Sequence, residues 1–374
     1  MYFLRIAAMR YRITHRTSYQ YTSPVHESFN EVRLRPRSDE HQTCLDFELS
    51  IDPPASVISF VDYYGNAVNN FSVPYQHEQL SIEATSDIFT FAEADEPIAG
   101  PSVGADDHSP SIAKLAADDD FGNDHSEFLI PSHYVDLEPK TAEIAGTLLS
   151  ANPEMTAWQF LNAAAGYVSS HLTYEIGSTN VHSRVDEVLA IGRGVCQDFS
   201  HVLIGICRQA GLPARYVSGY QGGVSESEAS HAWVEALVPP YGWVGFDATI
   251  DSVCTGRHVK VATGRDYADV TVVRGTYRGG QAQALDVSVT SEELADDLGL
   301  IMRGGRKRGE LMQFQLLGAM RQFQQLNAGR MVASTGVSPD LQTMPEFPHA
   351  LDQETAPHSQ PQQQQQAIAR VRRR

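Results

Sequence analysis

The stretch Gly192-Arg193-Gly194-Val195-Cys196-Gln197-Asp198-Phe199 constrains this chain more than any other. Its two glycines permit a tight turn with close backbone approach. After the cysteine, apolar residues fall at Phe199, Val202, Leu203, Ile206, Cys207 and Ala210, the stripe of a buried helix face. Gly211 and Pro213 then stop the helix. The spacing therefore predicts a helix whose first turn carries Cys196. There the unpaired N–H groups and the positive dipole end favour a thiolate, and the Cys196 backbone N–H is placed to serve an oxyanion. A free cysteine is by default a small buried hydrophobe. Cys207, on the apolar stripe of the same helix, is read that way.

A short strand, 214–218, follows, then a polar loop to Ser230. The run 230–238 alternates as a strand, with His231, Trp233, Glu235 and Leu237 on one face and Ala232, Val234, Ala236 and Val238 on the other. Pro239-Pro240-Tyr241-Gly242 is turn chemistry, and 243–247 is a second strand, which makes a β-hairpin. Two registers are open. Val238 opposite Trp243 puts Asp247 across from Val234, whereas Ala236 opposite Gly242 puts it across from His231. A catalytic pairing needs the second, or a bulge to the same effect. Alone, His231 reads as a hydrogen-bonded, partly buried histidine and Asp247 as a turn or cap carboxylate. With Cys196 they make an ordered set of nucleophile, base and orienting carboxylate.

As a set, these motifs resemble the transglutaminase-like superfamily, which shares the papain-like arrangement of Cys, His and Asp. The resemblance runs through 192–201, Gly211-Leu212-Pro213-Ala214-Arg215-Tyr216, Ser230-His231-Ala232-Trp233 and Gly242-Trp243-Val244-Gly245-Phe246-Asp247-Ala248-Thr249. The N-terminal part is similar to the β-rich domain preceding this core in many bacterial members, through 11–21, Val32-Arg33-Leu34-Arg35-Pro36 and Asp62-Tyr63-Tyr64-Gly65-Asn66. Arg274-Gly275-Thr276-Tyr277-Arg278 is similar to the end of that two-part architecture.

The resemblance implies Cys196 as nucleophile, His231 as base and Asp247 as its carboxylate. A thioester forms at Cys196 as ammonia or an amine leaves, and water or a lysine amine completes the reaction. The expected activity is that of a thiol-dependent acyl hydrolase or transferase on peptide or glutamine side-chain amides, of the cysteine-peptidase type described for many bacterial relatives. A cross-linking transglutaminase is one alternative. Another is a non-catalytic peptide-binding scaffold, with Nδ1 of His231 out of reach of Asp247. Tyr174 is a candidate second oxyanion donor beside the Cys196 backbone. Asp198 reads as a helix-start carboxylate, and His201, round the helix from Cys196, as structural.

The implied fold class is α+β: a papain-like, transglutaminase-like core behind a β-sandwich-like N-terminal domain, with a disordered C-terminal tail. The expected ranges are 1–92 for the β domain, 93–135 for an acidic linker or long loop, 136–290 for the core and 291–374 for the extension. Strands are expected at 11–21, 31–36, 44–51, 57–63, 67–73 and 80–84, and helices at 138–150 and 156–171. The extension reads as one amphipathic helix, 310–326, and then a Pro/Gln/Ser-rich tail. Asp118-Asp119-Asp120 lacks an EF-hand's oxygen ligand at Gly122 and reads as a solvated acidic face.

The 374 residues suit about two domains, and a net charge of −18 argues against a general nucleic-acid binder. The 14 histidines show no HExxH or comparable spacing, so neither metal nor cofactor is expected. The partner expected is a peptide or protein substrate, with no membrane; the oligomeric state stays open. Four cysteines without close pairing, and an N-terminus without a signal-peptide pattern, suggest a reducing, cytoplasmic setting.

Overall fold

The computed structural model describes residues 9–92, 94–101, 106–224, 229–280 and 282–294. The helix expected at 310–326 and the tail beyond it lie outside these residues.

The N-terminal strands are β1 (Met9–Val32), β2 (Gln42–Asp52), β3 (Val57–Val61), β4 (Ala67–Val73) and β5 (His77–Thr90). β1 is one long strand, where separate strands at 11–21 and 31–36 were expected. Tyr11, Ile13, His15, Thr17, Tyr19 and Tyr21 point inward at period two. Pro24 lies in the interval between Gln20 and Val25 where pairing to β5 shifts register, the kind of irregular position that tolerates proline in a sheet.

The helical region follows with α1 (Ile112–Ala116), α2 (Asp119–Asp124), α3 (Pro139–Ala151), α4 (Ala157–His171), β6 (Thr173–Tyr174), α5 (Val185–Ile191), β7 (Arg193–Gly194) and α6 (Cys196–Gln209). α4 opens on a capping box in which the Thr156 hydroxyl accepts from Gln159 N and the Gln159 side chain accepts from Thr156 N. The range expected as a linker is partly structural. Ile112, Leu115, Tyr134 and Val135 are buried in the core, and Asp118 caps α2 by accepting from Phe121 N.

The chain continues with β8 (Ala214–Gln221), β9 (His231–Val238), β10 (Gly242–Asp247), β11 (Ser252–Val253), β12 (His258–Gly264), β13 (Val273–Gly279) and β14 (Ala282–Leu294). The core sheet runs β11-β10-β9-β8-β12. α6 packs on β8 and β9 with α3, α4 and α5 around it. It is buried all round from Gln197 to Arg208, not along one stripe. Arg208 can be buried because its guanidinium donates to the carbonyls of Ile130, Ala214 and Arg265 and to the Ser132 hydroxyl.

β13 and β14 leave the core and pair with β1, giving a seven-stranded sheet. The residues expected to end the core at 290 thus belong in part to the N-terminal domain, and β14 runs on to Leu294. The strands paired with the two halves of β1 share one apolar core, with Leu80, Ile82 and Leu285 beside the first half and Phe71, Val73 and Val273 beside the second. Tyr11, Ile13, Ile88 and Val289 of this sheet join the α+β core's cluster instead, so the domains are welded by apolar burial. His15 adds a polar tie: Nδ1 meets the Tyr220 hydroxyl and Nε2 the Thr17 hydroxyl, each at 3.0 Å. Among the described residues no helix is long and apolar enough to cross a membrane.

Candidate active site

Cys196 is the first residue of α6, and Val195 is its extended N-cap. The approach is set by short-range geometry. Gly192 caps α5 in the left-handed region at φ 71°. β7 then lies parallel to β6, with Thr173 opposite Arg193 and Tyr174 opposite Gly194. Asp198 Oδ2 reaches back to accept from Val195 N at 2.7 Å and from the Thr179 hydroxyl at 2.6 Å. Burial pushes the Asp198 carboxyl up to about 6 despite those bonds. Asp198 therefore does more than suit the dipole: it fastens the turn carrying Cys196 to the segment at Thr179.

Gly194 lies against that carboxylate. A Cβ there would fall 2.6 Å from Asp198 Cβ and Oδ2. Gly194→Ala is expected to displace Asp198, to destabilise the fold by about 1–3 kcal/mol and to lower any turnover at least tenfold. Urea unfolding and initial rates check it, and unchanged values in both would refute it.

His231 opens β9, with its side chain 20% exposed, and Asp247 closes β10, fully buried. The hairpin register is neither of the two expected. Val238 pairs with Gly242 and Phe246 with Val234, around a three-residue loop, Pro239-Pro240-Tyr241. Gly242 takes φ 78°, the left-handed position that such loops use. Continued one step, this register sets Asp247 across from Trp233, so His231 is its diagonal neighbour on the same face. Diagonal neighbours lie within reach of long side chains. His231 Nε2 meets Asp247 Oδ2 at 2.5 Å.

Nε2 is thus committed to the carboxylate, and the same ring lines one cavity with Cys196. Burial works against a charge on His231, but the bonds to Asp247 and Cys196 prevail and lift it to about 10. Asp247 is buried, yet the His231 and His258 hydrogen bonds hold it far below the usual carboxylate range. Its Oδ1 also accepts from Thr249 N at 3.0 Å and from the Thr249 hydroxyl at 2.5 Å.

Trp233 fills the space over two glycines of the sheet. A Cβ on Gly219 would stand 2.4 Å from its ring, and one on Gly245 would stand 3.5 Å from its Nε1. One position further along that face, Glu235 is buried between Arg215 (2.6 Å) and Lys260 (2.6 Å).

Cys196 and His231 open into a cavity of about 840 Å³. Tyr174 lines it, half exposed, with its ring 6.2 Å from Phe199. His201 faces elsewhere. It is buried, stacks on Tyr134 at 5.5 Å and accepts from Tyr267 N at 3.2 Å. Cys207 is fully buried, its thiol pushed up to about 12 by burial. Cys44 and Cys254 are buried as well, so among the four free cysteines Cys196 alone is partly exposed.

Two groups of residues at this site had escaped the sequence. One is the cavity wall from the β domain, His15, Val287, Val289 and Ser291. The other is His258, whose Nε2 stands 3.4 Å from Asp247 Oδ2. Both depend on pairings between distant strands and leave no local pattern. The Thr249 contact did have one, a threonine two residues beyond an aspartate in a turn.

Stability should depend on pH through these groups. Burial holds His15 and His201 down at about 4, below their unfolded value of about 6.5. Between those values the unfolded chain binds more protons, so stability falls as pH drops from about 6.5 to about 4. Asp198, raised to about 6, opposes this, because the folded state holds its proton longer. The net acid loss is on the order of 3–4 kcal/mol. His231, raised to about 10, adds a loss as pH climbs from about 6.5 toward 10. Thermal unfolding from pH 4 to 10 is expected to peak near pH 6–7, and a melting temperature still rising as pH falls below 6 would contradict this assignment.

Fold and site together define a class: an α+β core with a cysteine at a helix start and a His–Asp pair on the adjoining hairpin, joined to a β-rich domain. Two family models match, the bacterial transglutaminase-like N-terminal region over residues 11–88 and the transglutaminase-like superfamily over residues 145–248. An uncharacterized protein of Mycobacterium leprae is 34% identical over 293 residues, covering 76% of this chain and 99% of that protein. A protein-glutamine gamma-glutamyltransferase of Pseudomonas aeruginosa is 34% identical over 111 residues, 25% of this chain and 16% of that protein. The crystal structure of a "Putative Cysteine Protease" from Cytophaga hutchinsonii matches with TM-score 0.60 at 26% identity, over 78% of this chain and 92% of that one. The chain belongs to the transglutaminase-like superfamily.

Proposed function

We propose that this protein is a thiol-dependent acyl hydrolase that works through a thioester at Cys196, acting on peptide or glutamine side-chain amides in the manner of a cysteine peptidase. The observation that carries this is the His231 ring, bonded through Nε2 to Asp247 at 2.5 Å and lining the same cavity as Cys196 at the head of α6. A nucleophile, a base in contact with it and a carboxylate orienting that base are the parts acyl transfer needs. Cys196 Sγ attacks the amide carbonyl carbon, and the oxyanion is received by the Cys196 N–H, with Tyr174 as the proposed second donor. As the C–N bond breaks, His231 passes its proton to the departing amine or ammonia. Neutral His231 then takes a proton from water, the hydroxide adds to the thioester and the Cys196 sulfur leaves.

Hydrolysis is favoured over cross-linking by coverage. The neighbour described as a cysteine protease is matched over 92% of its length, the glutamyltransferase over 16%. Glutamine peptides incubated with and without a primary amine, followed by mass, test both. Deamidation or cleavage without amine is expected. Amine incorporation with no hydrolysis would overturn the hydrolase assignment.

Among the described residues, the cavity is lined by no Asp, Glu, Lys or Arg. The bound part of the acyl donor is therefore read as uncharged, since an unpaired charge would be desolvated there without compensation. Val287, from the β domain, is only half-buried in that wall. Val287→Arg is expected to raise KM for an uncharged glutamine peptide about tenfold or more while Cys196 alkylation keeps its rate. An unchanged KM would remove the β domain from substrate selection.

A further inference from the structure

We infer that His258 is a positioning residue for the His231–Asp247 pair: a buried imidazole that donates to Asp247 through Nε2 and tunes how tightly His231 holds its proton. The inference rests on the acyl-enzyme reading above for its meaning, but its geometry stands by itself.

His258 opens β12 at the end of the turn Thr255-Gly256-Arg257-His258, closed by His258 N donating to Thr255 O at 2.9 Å. Its side chain is 2% exposed. Within that turn the Thr255 backbone N–H donates to His258 Nδ1 at 3.0 Å. A ring nitrogen that accepts cannot carry a proton, so the hydrogen of the neutral ring sits on Nε2. Nε2 faces Asp247 Oδ2 at 3.4 Å, the same oxygen that takes the His231 bond. Trp233 packs edge-on against the His258 ring at 5.3 Å and keeps it in that orientation.

The tautomer also decides what the cluster of His231, Asp247 and His258 can do. Their nitrogen and oxygen atoms lie within 4.8 Å of one another, close enough to suggest a cation site. A metal on His258 Nε2 would need that nitrogen's lone pair while Thr255 occupies the other. The ring would then have to be imidazolate, an expensive form for a buried side chain. His258 is built to donate.

Asp247 is therefore saturated, with Oδ1 held by the two Thr249 donors and Oδ2 by the two imidazoles. The consequence follows His231 through the reaction. When His231 gives up its proton, Asp247 loses a cationic neighbour, and the His258 N–H remains to stabilise the carboxylate. His258 thus favours neutral His231, the form that deprotonates water. The other titratable groups facing this cluster are Cys196 from α6 and the buried Cys254 behind Asp247. Glu235, with Lys260 and Arg215, lies further along the same sheet face.

The test is the pH profile of iodoacetamide alkylation at Cys196 together with a 15N NMR titration of the histidines, in wild type, His258→Phe and His258→Gln. Phe keeps the ring shape without a donor, and Gln keeps a donor near the Nε2 position. In His258→Phe the His231 titration is expected to move up by on the order of half to one pH unit, as loss of one hydrogen bond to a charged group implies. His258→Gln should restore most of that shift, and the wild-type His258 signal should report the Nε2–H tautomer when the ring is neutral. An unmoved His231 titration in His258→Phe overturns the inference. If His258→Phe does not fold, an Nδ1–H tautomer at wild-type His258, or a His258→Gln profile shifted as far as half a unit, overturns it equally. None of these readouts requires a substrate, so the inference can fail while the hydrolase reading stands, and the reverse.

Discussion

Cys196→Ala is expected to abolish turnover, lowering kcat by on the order of 10⁵–10⁶, as loss of a nucleophile from a cooperating set does elsewhere, while leaving the fold intact. Cys196 is half-buried at a cavity wall, at the edge of the core, and alanine leaves only a small void there. Its removal deletes one thiol and its electrostatic interaction with His231. The same geometry predicts selective labelling. At neutral pH one equivalent of iodoacetamide should react with the native protein, at Cys196, because the other three thiols are buried and burial pushes each of them up. Peptide mapping reads the site, and equal labelling of Cys196 and Cys207 would sink the claim of an activated thiol.

Asp247→Asn is expected to be the second most damaging change, with kcat falling about 10³–10⁴-fold. The usual account is that the amide permits the wrong imidazole tautomer, but here the surroundings leave the amide no good orientation at all. Every group around Asp247 is a donor: the two imidazole N–H groups at Oδ2, and the Thr249 N–H and hydroxyl at Oδ1. An asparagine NH₂ must face one pair or the other. Turned to Oδ2 it forces His231 to carry its proton on the Cys196 side, and turned to Oδ1 it meets the Thr249 N–H head-on. A buried donor left unpaired costs about 1–3 kcal/mol, so the variant should also melt measurably lower. Rates, melting temperature and the His231 titration can be read on one preparation. A variant that loses rate but keeps wild-type stability would mean that the pocket relaxes around the amide.

Much of the site was legible because its determinants are local. The turn glycines, the helix-start cysteine and the stop at Gly211 and Pro213 specify α6 from adjacent residues. Alternation and the Pro239-Pro240 turn specify the β9–β10 hairpin. Its register was not legible: the three-residue loop with left-handed Gly242 is one of several closures those residues allow, and a shift of one residue exchanges the faces of the strand. The continuity of β1 between the strands expected at 11–21 and 31–36 was not legible, because Pro24 is tolerated through a pairing irregularity shared with β5 and not through its own neighbours. The acidic stretch before α3 resembled a linker because its buried residues, among them Ile112, Leu115 and Phe128, are few and scattered.

By itself the sequence determined the superfamily, the α+β core and the three residues of the proposed chemistry, because each is written in short-range spacing and residue type. Only the tertiary structure decided how they meet. It brought His231 and Asp247 together across a diagonal, returned β13 and β14 to the N-terminal sheet so that β14 walls the cavity, and set His258 against Asp247. Those contacts arise from strands paired across long separations, as between Arg10 and Leu294. Their free energy comes from burying joint surfaces, and no single segment carries that term.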